Sequence, residues 1–129
     1  MRMSSVLLYM VLLGFGTVIT PGVGLAGTLL SLCPQHLTDF SHAPAYGLLT
    51  WLLTNGLREC GWPKLMALWV GALVAMVFGL SMETLQGFVP GRYVEMGDIV
   101  MNAIGIAMAA LLILSAPERA ALAKRPFTP

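Results

Sequence analysis

The chain has 129 residues, of which 57% are hydrophobic and only 10% are charged, and its net charge is +1. Soluble domains average about 25% charged residues, so seven basic and six acidic side chains are too few to cover a soluble surface. This composition excludes a soluble module and requires apolar side chains to face lipid. The length allows one domain, and we expect no nucleic-acid partner.

Four apolar stretches, separated by helix breakers, follow one another along the chain. They run from about Ser4 to Thr20, Phe40 to Leu57, Leu65 to Leu85 and Gly97 to Ser115. Each is close to the roughly 17–25 residues that cross a bilayer as a helix, and helix is the form that satisfies backbone groups in lipid. The predicted fold is all-α: a polytopic membrane protein with four transmembrane helices in one domain (residues 1–116) and a polar tail (117–129).

Two shorter features of the first third of the chain need separate interpretation. The Gly-rich apolar piece at 22–32 is too short to span and suits an interfacial or re-entrant segment. Arg2, the first apolar run and Gly24-Leu25-Ala26 together imitate a secretory signal peptide. The run is long for a signal-peptide core, so we expect a membrane helix instead.

Basic residues predict the orientation of these helices. With the amino terminus inside, one basic residue, Arg92, is outside and the others are cytoplasmic: Arg2, Arg58, Lys64, Arg119, Lys124 and Arg125. This asymmetry follows the positive-inside rule. Both termini are therefore predicted to be cytoplasmic. The two cysteines, Cys33 and Cys60, have no CxxC spacing, which indicates neither a zinc site nor a disulfide framework.

The third stretch carries a stripe of small residues that leads to a carboxylate. Gly71, Ala75 and Gly79 follow at steps of four and precede Glu83, with Gln86 three residues later. Such steps keep side chains on one helix face, and small residues let a neighbouring helix approach. We expect Glu83 to point into the protein, where a carboxylate at membrane depth indicates function. The alternative is a carboxylate that only holds helices together.

The fourth stretch repeats this pattern with Asp98, Asn102, Gly105 and Ala109 on one face. Asp98 is predicted to cap the helix start, where its charge also suits the helix dipole. Asn102 lies about one turn deeper and needs an interhelical partner, for which Glu83 or Gln86 is the natural candidate.

Two further groups complete the set of polar residues. Arg92 follows Pro90-Gly91 between the last two stretches, and it pairs with a carboxylate, binds an anionic head group or is a solvated loop residue. Asp39, His42 and Tyr46 share one side at the start of the second stretch. Asp39, His42, Glu83 and Asp98 are chemically able to ligate a metal, but no HExxH-type spacing is present, and we predict no metal and no cofactor.

Topology brings these residues to the same side of the membrane. The candidate ligand-binding residues come from three predicted helices and the loop between two of them: Asp39, His42, Tyr46, Glu83, Gln86, Arg92, Asp98 and Asn102. Nearly all map to the non-cytoplasmic helix ends. One site at the outer face is predicted.

The order of these residues resembles the signature of the VanZ-like family, named for a teicoplanin-resistance protein. The resembling pattern is Gly79-x3-Glu83-x2-Gln86-x3-Pro90-x-Arg92-x5-Asp98-x3-Asn102-x2-Gly105. Asp39, His42 and Tyr46 resemble the family's Asp-Lys-x-x-His-x3-Tyr element, although Phe40 stands where that element has lysine and the step from Asp39 to His42 is one residue short. The resemblance implies a role at the cell envelope, with reduced susceptibility to a lipid-tailed glycopeptide.

Three hypotheses for function remain open from the sequence. The first is a membrane protein whose outer-face site engages a membrane lipid or a lipid-linked or amphiphilic envelope molecule, with Arg92 holding its anionic head. The second is an enzyme acting on a lipid head group, with His42 or Glu83 as general base. The third is a structural or accessory subunit whose small-residue stripes pack on other membrane proteins.

Overall fold

The computed structural model describes residues 3–20, 22–90 and 94–117, and within those ranges every regular element is helical. The helices are α1 (Met3–Val18), α2 (Gly24–Leu32), α3 (Gln35–Glu59), α4 (Lys64–Gln86) and α5 (Met96–Ser115). The all-α prediction is confirmed for this part of the chain. The predicted tail lies outside the described residues apart from Pro117, and so does Arg92.

Prolines set where α3 and α4 begin. Pro34 and Pro63 are their N-cap residues, each with an extended backbone (ψ 138° and 143°) that precedes the first helical turn. A proline at a helix start loses nothing, because the first N–H groups have no intrahelical acceptor. Between the two helices Gly61 has a φ of +90°, a backbone conformation that favours glycine.

Helix α3 is longer than its apolar stretch predicts. It begins at Gln35 instead of about Phe40, so Asp39 and His42 lie inside it. Pro44 also lies inside α3, and its missing N–H leaves the carbonyl of Phe40 without the usual helical donor four residues later. The hydropathy pattern missed these first turns because they contain Gln35, His36, Thr38 and Asp39, which are polar.

The bundle is organised around α3, which packs against α1, α4 and α5. The core combines apolar residues from four helices: Val6, Tyr46, Leu49, Leu53, Ala75 and Ile106. The tightest crossing is between α3 and α5, where a Cβ added at Gly105 would overlap the carbonyl oxygen of Ala43, and one added at Gly47 would lie 3.0 Å from the carbonyl oxygen of Gly105. Only glycine permits these two backbones to approach so closely.

The outside of the bundle is apolar along its length. Large side chains such as Trp69, Leu73 and Leu111 are exposed by 71%, 64% and 68%. A surface of this kind is unfavourable in water and suits lipid. Helices α4 and α5 are both long and apolar enough to cross a membrane.

The sequence predicted four spanning helices. Among the described residues, only α4 and α5 are both long and apolar enough to cross a membrane. Helix α1 has 16 residues, which is about the lower limit for a span. Helix α3 has 25 residues, but Asp39, His42, Asn55 and the terminal Arg58-Glu59 make it less apolar. The short piece after α1 is a helix, α2, whose Leu25, Leu29 and Leu32 are exposed.

Lys64 links the beginning of α4 to the end of α5. At one end the Lys64 ammonium donates hydrogen bonds to the carbonyl oxygens of Ala116 (2.8 Å) and Leu114 (3.4 Å), so α4 begins where α5 finishes. A cation at a helix C-terminus satisfies its last carbonyls and its dipole. At 1.5 Å per residue, Glu83 is about 28 Å along α4 from Lys64, close to the thickness of a bilayer core of about 30 Å.

Candidate functional site

The small-residue stripe of α4 faces the interior, as its spacing predicts. Gly71, Ala75, Gly79, Glu83 and Gln86 are all buried. A Cβ at Gly79 would lie 2.9 Å from Asn102 Nδ2 and 3.0 Å from Tyr46 Cε1. The stripe therefore accommodates side chains of α3 and α5, and it delivers Glu83 into the bundle with 1% of its surface exposed.

The predicted face of α5 is also buried, and it includes Asp98, Asn102, Gly105 and Ala109. Asp98 is not the cap of this helix, because the N-cap residue is Glu95, which makes no side-chain capping bond. Asp98 lies in the first turn instead, where a negative charge still interacts favourably with the helix dipole. Its side chain is thereby free to point into the bundle.

His42, on α3, lies close to polar side chains of both α4 and α5. Its Nδ1 lies 3.1 Å from Asn102 Oδ1 and 3.6 Å from Glu83 Oε1, and its Nε2 lies 3.7 Å from Asp98 Oδ2. The predicted partner of Asn102 was Glu83 or Gln86, and the hydrogen bond instead runs to His42. We call His42, Glu83, Asp98 and Asn102 the polar cluster.

The polar cluster is mostly sealed but open at one side. The side chain of Glu83 is 2% exposed, whereas that of His42 is 17% and that of Asp98 is 10% exposed. The ring of Tyr46, which is itself buried, stacks on His42 with 6.1 Å between centroids and 16° between planes. A molecule approaching from outside the bundle thus meets the imidazole and Asp98 before it meets Glu83.

Two other predicted site residues, Asp39 and Gln86, lie on the same helices as members of the polar cluster. Asp39 is half-buried, and its carboxylate accepts a hydrogen bond of 3.5 Å from the adjacent Thr38. Gln86 is buried in the last turn of α4, three residues past Glu83. Arg92 lies outside the described residues, so its predicted contact with an anionic group stays a prediction.

An apolar groove of about 400 Å³ begins beside the polar cluster and runs between α3 and α5. Its lining includes Ala43, Pro44, Gly47, Leu48 and Trp51 on α3 and Gly105, Met108, Ala109 and Leu112 on α5. Ala43 is adjacent to His42, and Gly105 is one turn beyond Asn102. The glycines that let the two backbones meet leave this depression on the outer side of the crossing.

The donor set of the polar cluster is suited to a cation as well as to hydrogen bonding. His42, Glu83 and Asp98 each offer one ligand atom, and these atoms all lie within 4.8 Å of one another. One imidazole nitrogen with carboxylate oxygens is a set used for divalent transition metals. The spacing in the sequence gave no sign of it, because the three residues come from three separate helices.

The comparison with protein families identifies the architecture. The VanZ/LLP1 family model matches residues 6–117. This chain belongs to the VanZ/LLP1 family. The match contains all five helices except the first three residues of α1, and it includes the whole of the polar cluster. Comparison with curated proteins and with solved structures gave no match.

Sequence patterns alone missed two features of this VanZ/LLP1 site. One is the hydrogen bond between His42 and Asn102, which depends on how α3 is rotated against α5. The other is Gly47, whose position on α3 opposite Gly105 creates the groove. Gly47 five residues after His42 is a small residue in an apolar helix and was a detectable signal for close packing.

Proposed function

We propose that this VanZ/LLP1 protein is a multi-pass protein of the bacterial cell membrane that binds a lipid-linked or amphiphilic envelope molecule. The polar cluster contacts the head group, and the apolar groove between α3 and α5 holds the hydrocarbon chain. The observation that carries this proposal is their proximity: Ala43 and Gly105 line the groove, and they lie next to His42 and one turn from Asn102, which share a hydrogen bond. The family, with its envelope and antibiotic-resistance association, supports the same role.

The dimensions of the groove support a hydrocarbon occupant. Its volume of about 400 Å³ lies within the range of roughly 300–1,000 Å³ typical of ligand pockets. Its lining is apolar, and Leu48, Trp51 and Met108 are exposed by 44%, 46% and 57%. In a membrane this surface faces lipid, so a chain enters sideways from the bilayer without crossing water.

Four membrane passes with both termini in the cytoplasm put the polar cluster at the outer face. Helices α4 and α5 supply two passes, and α3 supplies a third, since its 25 residues are enough for a span and its Thr50 and Thr54 are buried. Helix α1 supplies the fourth pass. Because it has 16 residues, it spans the bilayer with little tilt. Lys64 and Arg58, which lie at the opposite end from the cluster, are then cytoplasmic, in agreement with the positive-inside rule.

The structural-subunit alternative loses one of its supports. It requires small-residue faces that are left open for a partner, but the stripe of α4 and the face of α5 are both buried within the chain.

The enzyme alternative requires a water-accessible base. Glu83 is too buried for that role, so within the polar cluster the base in such a reaction is His42.

The test of the proposal compares two tryptophan substitutions on α5. Met108→Trp fills the groove, whereas Leu111→Trp places the same bulk on an exposed surface that is not part of the groove lining. We expect lipid co-purified from bacterial membranes, measured by mass spectrometry of the folded protein in detergent, to fall at least fivefold in Met108→Trp. Leu111→Trp should retain the wild-type amount.

Equal lipid retention in both variants would show that the groove does not hold the chain. Retention that falls equally in both would indicate loss through general perturbation of α5. Either result removes the observation on which the proposed function depends.

A further inference from the structure

We infer that the polar cluster is a divalent-cation site, in which His42, Glu83 and Asp98 bind an ion such as Mn²⁺ or Zn²⁺. The inference deepens the proposed function, because it names the group through which the cluster would hold an anionic head. The binding of the ion itself depends only on the three side chains.

One separation between a ring nitrogen and a carboxylate oxygen supports an ion between them. His42 Nε2 and Asp98 Oδ2 are 3.7 Å apart, whereas N–H···O hydrogen bonds are shorter, at about 2.7–3.2 Å. Ligand atoms held about 2.0–2.2 Å from one metal ion lie roughly 3 to 3.6 Å from each other, which is closer to this separation. One ligand atom from each of His42, Glu83 and Asp98 lies within 4.8 Å of the others, so Glu83 is near enough to complete the set.

Asn102 determines which nitrogen of the ring faces the ion. Asn102 Oδ1 is an acceptor, so at 3.1 Å the Nδ1 of His42 donates to it and carries the proton. In the neutral ring the Nε2 lone pair then points toward Asp98 Oδ2. A metal-bound histidine commonly has its other nitrogen fixed by such a donor bond.

The chemistry of the cluster also agrees with a metal-bridged head group. A divalent ion held by carboxylates coordinates phosphate oxygens directly. His42 and Asp98 form the least buried edge of the cluster, with side chains 17% and 10% exposed. A head-group oxygen reaches the ion from that edge.

The experiment measures ion binding by the whole protein purified in detergent. After treatment with a chelator, the protein is incubated with Mn²⁺, followed by electron paramagnetic resonance, or with Zn²⁺, followed by elemental analysis. We expect about one ion per chain for the wild type. Glu83→Gln and Asp98→Asn should each weaken binding at least tenfold, and the matched control Glu59→Gln, at the opposite end of α3, should bind as the wild type does.

Folding of each variant is followed by thermal unfolding, which should show an increase in Tm with added ion for the wild type and Glu59→Gln, and none for the two cluster variants. If the wild type retains neither ion, the inference is wrong. If Glu83→Gln and Asp98→Asn bind as tightly as the wild type, the ion is held elsewhere, and the inference is equally wrong.

The same protein preparations separate this inference from the proposed function. Lipid retention that persists after chelation, together with no ion bound, removes the cation and leaves the lipid role standing. One ion per chain, with lipid retention unaffected by Met108→Trp, leaves the cation site standing and removes the lipid role.

Discussion

Glu83 is the most buried residue of the polar cluster, and His42 connects it with Asp98 on the next helix. Removing one member of a buried charged group leaves the other charge uncompensated, at a cost of roughly 3–5 kcal/mol in soluble proteins. A carboxylate in this position is expensive at membrane depth. Its surroundings at His42 and Asn102 therefore matter both for stability and for ligand binding.

The role of Arg92 can be separated from that of Glu83 by substitution. We predict that Arg92→Ala leaves the folded amount nearly unchanged and abolishes lipid retention, because a ligand-holding arginine contributes to binding and little to packing. The measurements are detergent-soluble yield, thermal unfolding and co-purified lipid. The double variant Arg92→Ala with Glu83→Gln should remain without lipid.

A different outcome would assign Arg92 to a structural ion pair. In that case Arg92→Ala alone is destabilised, and the double variant regains both stability and lipid retention because no buried charge is left unpaired. Recovery of both properties would contradict the proposed role of Arg92 as the residue that holds the head group.

At the scale of single helices, α4 is the element whose packing is most dependent on small residues. Gly79 leaves no room for a side chain, since a Cβ there would lie 2.9 Å from Asn102 Nδ2. We predict that Gly79→Leu destabilises the protein by about 1–3 kcal/mol or more and displaces Asn102 from His42. Leu80→Ala, on the exposed side, should cost less, as measured by thermal unfolding in detergent.

Gly16→Leu is the matched control for that substitution, because no atom lies within 4 Å of a Cβ at Gly16. It should leave stability close to that of the wild type. If Gly79→Leu behaves like Gly16→Leu, the interior position of the α4 stripe is wrong.

The helices were largely predictable because the spacing of small and polar residues within a helix indicates which of its faces is buried. The four-residue steps from Gly71 to Glu83 identify one face of α4, and that face is buried. The partner of that face is not recorded in the same way, since the spacing within one helix carries no information about the rotation of another. For this reason Asn102 was assigned to α4, whereas its hydrogen bond is to His42 on α3.

The start of α3 was missed for a related reason. Hydropathy detects lipid contact, and the first turns of α3 carry the polar residues Asp39 and His42, of which His42 contacts α4 and α5. The apolar groove was also beyond sequence patterns, because it arises only where Gly47 on one helix meets Gly105 on another. A shared end for the polar residues was predicted from topology alone, and α3, α4 and α5 bring His42, Glu83, Asp98 and Asn102 together.

At the scale of the whole molecule, the two cysteines report on the arrangement of the passes. Both are free and exposed, with Cys33 just after α2 and Cys60 just after α3. We predict that an impermeant thiol reagent added to intact cells labels Cys33 and spares Cys60, because the proposed topology places a bilayer between them. Permeabilised cells should show labelling of both and serve as the control.

Equal labelling of Cys33 and Cys60 in intact cells would contradict the proposed orientation of α3. Labelling of Cys60 alone would invert the whole molecule and put the polar cluster in the cytoplasm. The single-cysteine variants Cys33→Ser and Cys60→Ser assign each signal to one residue.

The contrast between α4–α5 and the other helices has a consequence for biogenesis. The two strongly apolar helices are consecutive, and Lys64 joins the beginning of one to the end of the other. This hairpin is able to leave the insertion machinery as a unit, whereas α3, which carries His42, gains its partners only when Glu83 and Asn102 have been synthesised. In the proposed topology we expect α3 to wait beside the translocon until the α4–α5 hairpin arrives, so a later part of the chain completes the membrane entry of an earlier part.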